Sequence, residues 1–234
     1  MTTYVLVHGA WSGAHGFRKV RPLLRAEGHE VFTPSLTGIG ERVHLVSPQV
    51  DLSTHIRDVV NQVLYEDLVD ITLLGFSYGG MVVTGSLAHI ADRVRHLVYL
   101  DAFVPNDGQS IFDLVGIPDD GTIGIGSDWL ITSTRRSYDD PADAEWSDLR
   151  RVAQPAATFS EEVRLSQPVE DFPFSLTYIK ATADPRTAPG GEAFWAAADR
   201  AKASDAWRYH EIDTNHLVPN NRPKELAEIL LELT

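Results

Sequence analysis

The sequence predicts an α/β fold: a mostly parallel sheet of about six strands flanked by helices, with a small, mainly helical insertion. Three observations predict it. Six short runs rich in Val, Ile, Leu and Tyr recur along the 234 residues, each of strand length. Segments with helical spacing separate most of them, and such alternation builds a parallel sheet with helices on both faces. One strand-to-helix junction reads Gly75-Phe76-Ser77-Tyr78-Gly79, a Gly-x-Ser-x-Gly turn that lifts a serine hydroxyl out of a sheet.

The first strand is expected over Tyr4–His8, followed by the loop His8-Gly9-Ala10-Trp11. A helix over Gly16–Glu27 places Phe17, Val20, Leu23 and Leu24 on one face and ends at Gly28, a fitting cap. Glu30–Thr33 is the second strand. The helix Leu52–Leu68 carries Ile56, Val59, Val60, Val63 and Leu64 as an ordinary core stripe. Ile71–Gly75 is the third strand, Tyr78–Ile90 the helix after it, and His96–Asp101 the fourth strand. From about Pro105 to Pro173 the alternation stops, and Asp, Gly, Pro and Ser dominate. Two short helices are expected there, Ala142–Val152 and Ser160–Leu165. Trp129, Trp146, Phe159 and Phe172 are costly to leave in water, so this stretch reads as a folded cap and not a disordered loop. The expected division is a core of residues 1–104 and 174–234 and a cap of residues 105–173. Strands Ser175–Ala181 and Trp207–Ile212 and helices Glu192–Ala203 and Arg222–Leu233 complete the core.

Composition excludes several classes. A formal net charge of −13 repels nucleic acid and anionic membrane, which both reward clustered Lys and Arg. The absence of cysteine removes disulfides, thiolate metal sites and cysteine nucleophiles. The nine histidines show no metal-ligand spacing, and Gly121, Gly124 and Gly126 follow no strand as a dinucleotide site requires. Neither metal nor cofactor is expected. No apolar run reaches the roughly 18 residues of a membrane span, and Met1–Gly9 lacks the pattern of a signal segment. A cytoplasmic protein with no membrane or nucleic-acid partner is the expectation.

The serine at residue 77 needs a base, since a hydroxyl near its normal pKa is a poor nucleophile. His216 fits, because it follows the last strand and precedes the final helix, the position a base takes in the chain order Ser, acid, His. His89, His96 and His210 read as ordinary surface or core residues. The expected acid is Asp184, just past the strand ending at Ala181, where it would hold the imidazole in one tautomer. Asp101 competes, because it ends the strand after the elbow; Asp213 lies too close to His216 along the chain. An oxyanion hole needs two N–H groups, expected from Tyr78 at a helix N-terminus and from Ala10 in the first loop. Gly9, Trp11, Phe76 and Leu217 flank this set and predict a mainly apolar substrate pocket. Arg135 and Arg136 read as solvated cap residues, with a meeting with an acidic substrate as the alternative.

Val5-Leu6-Val7-His8-Gly9-Ala10-Trp11, Pro22-Leu23-Leu24-Arg25-Ala26-Glu27-Gly28-His29, the elbow and Tyr178-Ile179-Lys180-Ala181-Thr182-Ala183-Asp184 occur together in this chain. In that combination it resembles the α/β-hydrolase superfamily over nearly its whole length. Within it, the likeness is to the plant methylesterase and hydroxynitrile lyase group, which includes the salicylic-acid-binding esterase, and to its bacterial relatives. The resemblance implies Ser77, Asp184 and His216 as triad, Ala10 and Tyr78 as oxyanion donors, a cap over the site and no cofactor. The lyases of that group have a threonine where this chain has Gly9, and a lysine where it has Leu217. Their absence implies hydrolysis of a small, partly apolar or aromatic ester. Lactone, carbamate or amide hydrolysis, cyanohydrin cleavage, and a low-turnover ligand-binding protein are the alternatives. A homodimer is an expectation of the resemblance alone.

Overall fold

The computed structural model describes residues 1–117, 129–133 and 136–233. The chain opens with strand β1 (Thr3–Val7), a 3-10 turn (Ala14–Phe17), helix α1 (Arg21–Ala26) and strand β2 (Glu30–Phe32). Helix α2 (Leu52–Tyr65), strand β3 (Ile71–Phe76), helix α3 (Gly79–Ile90) and strand β4 (Val94–Leu100) follow. Among the described residues, the pieces between β4 and the next long strand are short: α4 (Ile111–Val115), β5 (Leu130–Ile131), α5 (Pro141–Asp148), β6 (Gln154–Pro155), α6 (Ala157–Ser160) and a 3-10 turn (Val169–Asp171). Strand β7 (Ser175–Ala181), helix α7 (Gly191–Lys202), strand β8 (Trp207–Ile212), helix α8 (Val218–Asn221) and helix α9 (Pro223–Leu231) close the chain.

The six long strands form one parallel sheet in the order β2-β1-β3-β4-β7-β8, with β3 near its centre. Period-two alternation assigns their side chains to two cores. Val5, Val7, Ile71 and Leu73 pack with Val59 and Val63 of α2, Met81 of α3 and Ala198 of α7. Tyr4, Leu6 and Leu74 face the other way, onto Leu24 of α1 and Leu226 and Leu230 of α9. Among the described residues, no helix is long and apolar enough to cross a membrane.

Proline and capping correct several element boundaries. The single helix expected over Gly16–Glu27 is two pieces, because Pro22 lacks an N–H and starts a helix where it cannot continue one. Its end is as expected: Gly28 has φ +82°, and the N–H groups of Gly28 and His29 donate to Arg25 and Leu24 carbonyls. The final helix breaks at Arg222, whose backbone the following Pro223 pushes out of the helical region. In the segment between β4 and β7, α5 is shorter than the expected Ala142–Val152. The helix expected over Ser160–Leu165 is replaced by α6, which ends at Ser160. Beyond it the Glu161 carboxylate caps Ser53 at the start of α2, and Val163 and Leu165 N–H groups donate to Gln109 and Asp107. Those donors therefore serve the 106–109 turn and not a helix. Gly121, Gly124, Gly126 and Arg135 lie outside the described residues.

Candidate active site

The chain passes from β3 to α3 within two residues. Ser77, at that turn, has φ +56°, a left-handed conformation that costs a side-chain-bearing residue about 1–2 kcal/mol. Close approach enforces it. A Cβ on Gly75 would stand 2.6 Å from the Gly79 carbonyl oxygen, one on Gly79 2.5 Å from that of Val7, and one on Gly80 2.1 Å from that of Phe103. The N-terminus of α3 is thus pressed onto β1 and onto the chain leaving β4. Ser77 N–H donates to Leu100 at 3.2 Å, and Phe103 N–H donates to Ser77 at 3.3 Å.

His216 lies between β8 and α8 and is buried. Its Nε2 is 2.9 Å from Ser77 Oγ and its Nδ1 is 2.7 Å from Asp101 Oδ2. The ring is sandwiched between Phe76 (centroids 4.9 Å apart) and Phe194 (4.8 Å, planes 9° apart). Two aromatic faces leave only the imidazole edges for polar contact, so the ring points one nitrogen at each partner.

The carboxylate that meets the imidazole is not the one expected from the sequence. Asp184 Oδ2 accepts from the main-chain N–H of His216 at 2.9 Å, and the imidazole goes to Asp101. Sheet order gives the reason. Strand β4 lies beside β3, so a carboxylate ending β4 stands next to the elbow, whereas β7 is one strand further away. Asp101 is held there with φ +39°, its N–H donating to Ile179 at 2.7 Å. Tyr178 OH accepts from Ala102 N–H at 3.2 Å and lies 3.0 Å from the carbonyls of Ala102 and Phe194, tying the acid to the helix that supplies the stacking ring.

Asp101 Oδ1 is 2.7 Å from Lys180 Nζ, and each side chain is 1% exposed. Burial pushes the Asp101 carboxyl up, but the hydrogen bond and charge of His216 and the Lys180 ammonium outweigh it and lower its pKa. An ionised Asp101 keeps the proton on Nδ1 and leaves Nε2 to accept from Ser77. The lysine was a readable sign: an ammonium inside the apolar run Leu176–Ala181 needs a carboxylate, and Asp101 ends the neighbouring strand. Phe194, in a sequence-distant helix, gave no sign of its place.

The first loop has a fixed orientation. Leu36 N–H donates to His8 Nε2 at 3.1 Å, so the His8 proton is on Nδ1, which donates to the Gly9 carbonyl at 2.9 Å. Burial lowers the His8 pKa to about 4 and keeps the ring neutral. Gly9 C=O and Ala10 N–H share one planar trans peptide and point in opposite directions. Anchoring the carbonyl therefore turns Ala10 N–H away from His8. Trp11 (φ +59°) donates its N–H to Gln154 Oε1 at 2.9 Å and its indole N–H to Ile131 at 2.8 Å. Tyr78 is buried, with its hydroxyl 2.8 Å from His55 Nδ1.

Two clefts meet at Ser77. One is lined by Gly9, Phe76, His216 and Leu217 and by Arg136 and Arg151. The other is lined by Tyr78 and by Phe103, Phe112, Phe159 and Phe194. Ala10, Trp11, Ser77 and Arg136 line both. A Cβ on Gly9 would be 3.0 Å from Ser77 Cβ and 3.3 Å from the Phe76 ring, leaving little space for a larger residue. Among the described residues, no three His, Asp or Glu side chains are grouped to hold a metal ion.

Comparison with known proteins places this geometry. The chain is 51% identical over 115 residues to a carbendazim hydrolyzing esterase from a Nocardioides species, covering 49% of this chain and 48% of that protein. It is 35% identical over 126 residues to a pyrethroid hydrolase from Sphingobium wenxiniae, covering 52% and 44%. The chain thus spans about half the length of the curated relatives it matches. An extracellular alpha/beta-hydrolase from a Paenibacillus species, described as sharing structural and functional homology with tobacco salicylic acid binding protein 2, superposes with a TM-score of 0.77. The two are 25% identical, and the match covers 100% of this chain and 99% of that one. A family model described as Alpha/beta hydrolase family matches residues 4–229. A match across nearly the entire chain, on a parallel sheet with a serine at its strand-to-helix elbow, makes the chain a member of the alpha/beta hydrolase family.

Proposed function

We propose that the chain is a serine-dependent carboxylic ester hydrolase that acts on a small, partly apolar or aromatic ester through an acyl-enzyme. The observation that carries this reading is the buried path from Ser77 Oγ through both nitrogens of His216 to Asp101 and Lys180. Ser77 Oγ attacks the ester carbonyl carbon while His216 Nε2 takes its proton. The imidazolium so formed is stabilised by Asp101, 2.7 Å from Nδ1. Negative charge on the former carbonyl oxygen is taken by the N–H groups of Ala10 and Tyr78, with the N-terminal dipole of α3 behind the second. A lost donor of this kind costs about 3 kcal/mol of transition-state stabilisation. His216 then protonates the departing alcohol, and the same base activates the water that releases the acid.

Residues 105–173 serve in this reading as the cap, since Ile131, Gln154 and Phe159 hold or touch Trp11 beside the site. Gly9 and Leu217 favour hydrolysis over cyanohydrin cleavage, because neither supplies the hydroxyl or ammonium group that the lyases carry there. The test is hydrolysis of p-nitrophenyl acetate and butyrate by the wild type and by Ser77→Ala. The expected loss in kcat is about 10⁴- to 10⁶-fold. A Ser77→Ala protein that keeps most of its activity would overturn the reading.

A further inference from the structure

The cleft that holds Gly9, His216 and Leu217 has two guanidinium groups in its wall, Arg136 and Arg151. Several other arginines are matched to carboxylates, while Arg21, Arg25 and Arg150 donate to neutral oxygens. Arg18, Arg42, Arg93, Arg186, Arg200 and Arg222 each hold a carboxylate within 3.2 Å. In a chain with 33 acidic residues and 20 basic ones, such partners are plentiful. Among the described residues, neither Arg136 nor Arg151 forms an ion pair, and Arg151 Nε is buried with no hydrogen-bond partner. Both guanidinium groups line the same partly buried cleft.

Their surroundings hold them there. Asn215, next to His216, donates its side-chain N–H to the Ser137 carbonyl at 2.8 Å, and Asp139 accepts from Arg222 and donates its N–H to Asn221. These ties fix the residues after Arg136 to the loop that supplies His216. Arg151 lies 5.9 Å over the Trp11 ring, and Val152 N–H donates to the Trp11 carbonyl. The residue that follows Arg136 and the Arg151 guanidinium are thus tied to the loops beside the reacting serine. Burial and the Arg151 charge lower the Arg136 pKa, and Asp184 and Asp101 act the other way. Those two carboxylates are already engaged, Asp101 by Lys180 and His216 and Asp184 by the His216 main chain. A planar anion is the group that such a pair of guanidinium groups binds best.

We infer that Arg136 and Arg151 form a carboxylate subsite, and that the ester this site prefers carries a carboxylate on its acyl or alcohol part. The inference rests on the ester-hydrolase reading for the reaction but not for the anion binding. It places the substrate carboxylate in the first cleft, which Arg151 lines, at the junction with the Phe103–Phe112–Phe159 cleft, since Arg136 lines both.

Two matched pairs of esters test it. Methyl benzoate against its 4-carboxy derivative places the carboxylate on the acid, and phenyl acetate against 4-carboxyphenyl acetate places it on the alcohol. At low salt the carboxylate-bearing member of at least one pair should have a kcat/KM about tenfold or more above its neutral partner, because charge-assisted bidentate pairing is strong. In Arg136→Gln that ratio should fall to about one, and in Arg136→Lys it should be partly kept. Ratios near one in the wild type, or a ratio untouched by Arg136→Gln, would overturn the subsite. Binding of terephthalate to Ser77→Ala, read by tryptophan fluorescence, separates the two claims. If no ester is turned over, the hydrolase reading fails. The subsite then stands if Ser77→Ala/Arg136→Gln binds terephthalate about tenfold more weakly than Ser77→Ala, and falls if the two bind alike. Should Arg136→Gln lose its near-ultraviolet circular dichroism, Arg151→Gln and Arg136→Lys carry the same comparisons.

Discussion

Asp101 and Asp184 both touch His216, but on different atoms, and their substitutions should separate. Asp101→Asn presents an amide to Nδ1, which favours the tautomer whose Nε2 is already protonated, so kcat should fall by about 10⁴. Asp184→Asn still offers an oxygen to the His216 main-chain N–H, and its loss should stay below about tenfold. Steady-state kcat on one p-nitrophenyl ester decides between them, and a larger loss in Asp184→Asn would return the acid role to that residue. Asp101→Asn also leaves the buried Lys180 ammonium without its counter-charge, a cost of about 3–5 kcal/mol in stability. Asp101→Asn/Lys180→Met should therefore regain much of the lost urea midpoint while staying inactive. Much of this site was legible from spacing, because Ser77 stands at a strand-to-helix turn and His216 in the last strand's exit loop. The acid was not, because both candidates end parallel strands and only the lateral order of those strands sets them apart. His8 was read only as part of a loop, since its use depends on Leu36 meeting one nitrogen and Gly9 the other.

The elbow constrains its flanking elements more than it constrains the serine. Gly75 and Gly28 show the difference. Gly28 has φ +82° with nothing within 4 Å of a Cβ, so Gly28→Ala adds only backbone strain of about 1–2 kcal/mol. Gly75 lacks that strain, but its Cβ would meet main-chain atoms of Gly79 at 2.6 Å and 2.7 Å. Relief would require α3 to move off β3, and overpacking of a rigid contact costs about 1–3 kcal/mol or more. Thermal melts should show Gly28→Ala lowered by a few degrees with full activity, and Gly75→Ala lowered further with activity lost, since Ser77 and Tyr78 move with the helix. Equal melts and retained activity for Gly75→Ala would contradict the close approach. Strands β7 and β8 match their sequence ranges, because both are apolar runs with clean flanks. The breaks at Pro22 and Arg222 follow proline chemistry that periodicity alone passes over. Strands β5 and β6, two residues each, are too short for any repeat, and Ser160–Leu165 shows a helical pattern that long-range hydrogen bonds override.

At the scale of the whole molecule, the site's framework links stability to pH. His8 and His55 are fully buried and neutral, each with a pKa lowered by burial to about 4. His55 accepts from Tyr78 at Nδ1 while Nε2 donates to the Thr37 carbonyl at 2.8 Å, so both nitrogens are used without a second proton. In the unfolded chain an imidazole titrates near 6.5. Between about pH 6.5 and 4 the unfolded state therefore binds more protons than the folded one, and stability must fall as pH falls through that window. At pH 5 the loss is about 2 kcal/mol for each histidine. The carboxylates act in a lower window. Asp101 and Glu170 have lowered pKa values, and Glu41 is lowered to about 2, so their contribution is complete above the unfolded value near 4 and is lost below it. The net charge of −13 works the other way, because self-repulsion eases as carboxylates take up protons, and about 0.15 M salt screens most of it. Urea midpoints at pH 7.5, 6 and 5 in that salt should fall steadily. His55→Gln, which can keep one acceptor and one donor, should start lower at pH 7.5 but lose only about half as much by pH 5. Identical midpoints at pH 7.5 and 5 would mean that these imidazoles are not held neutral, and that the orientation of Ala10 N–H has another source than His8.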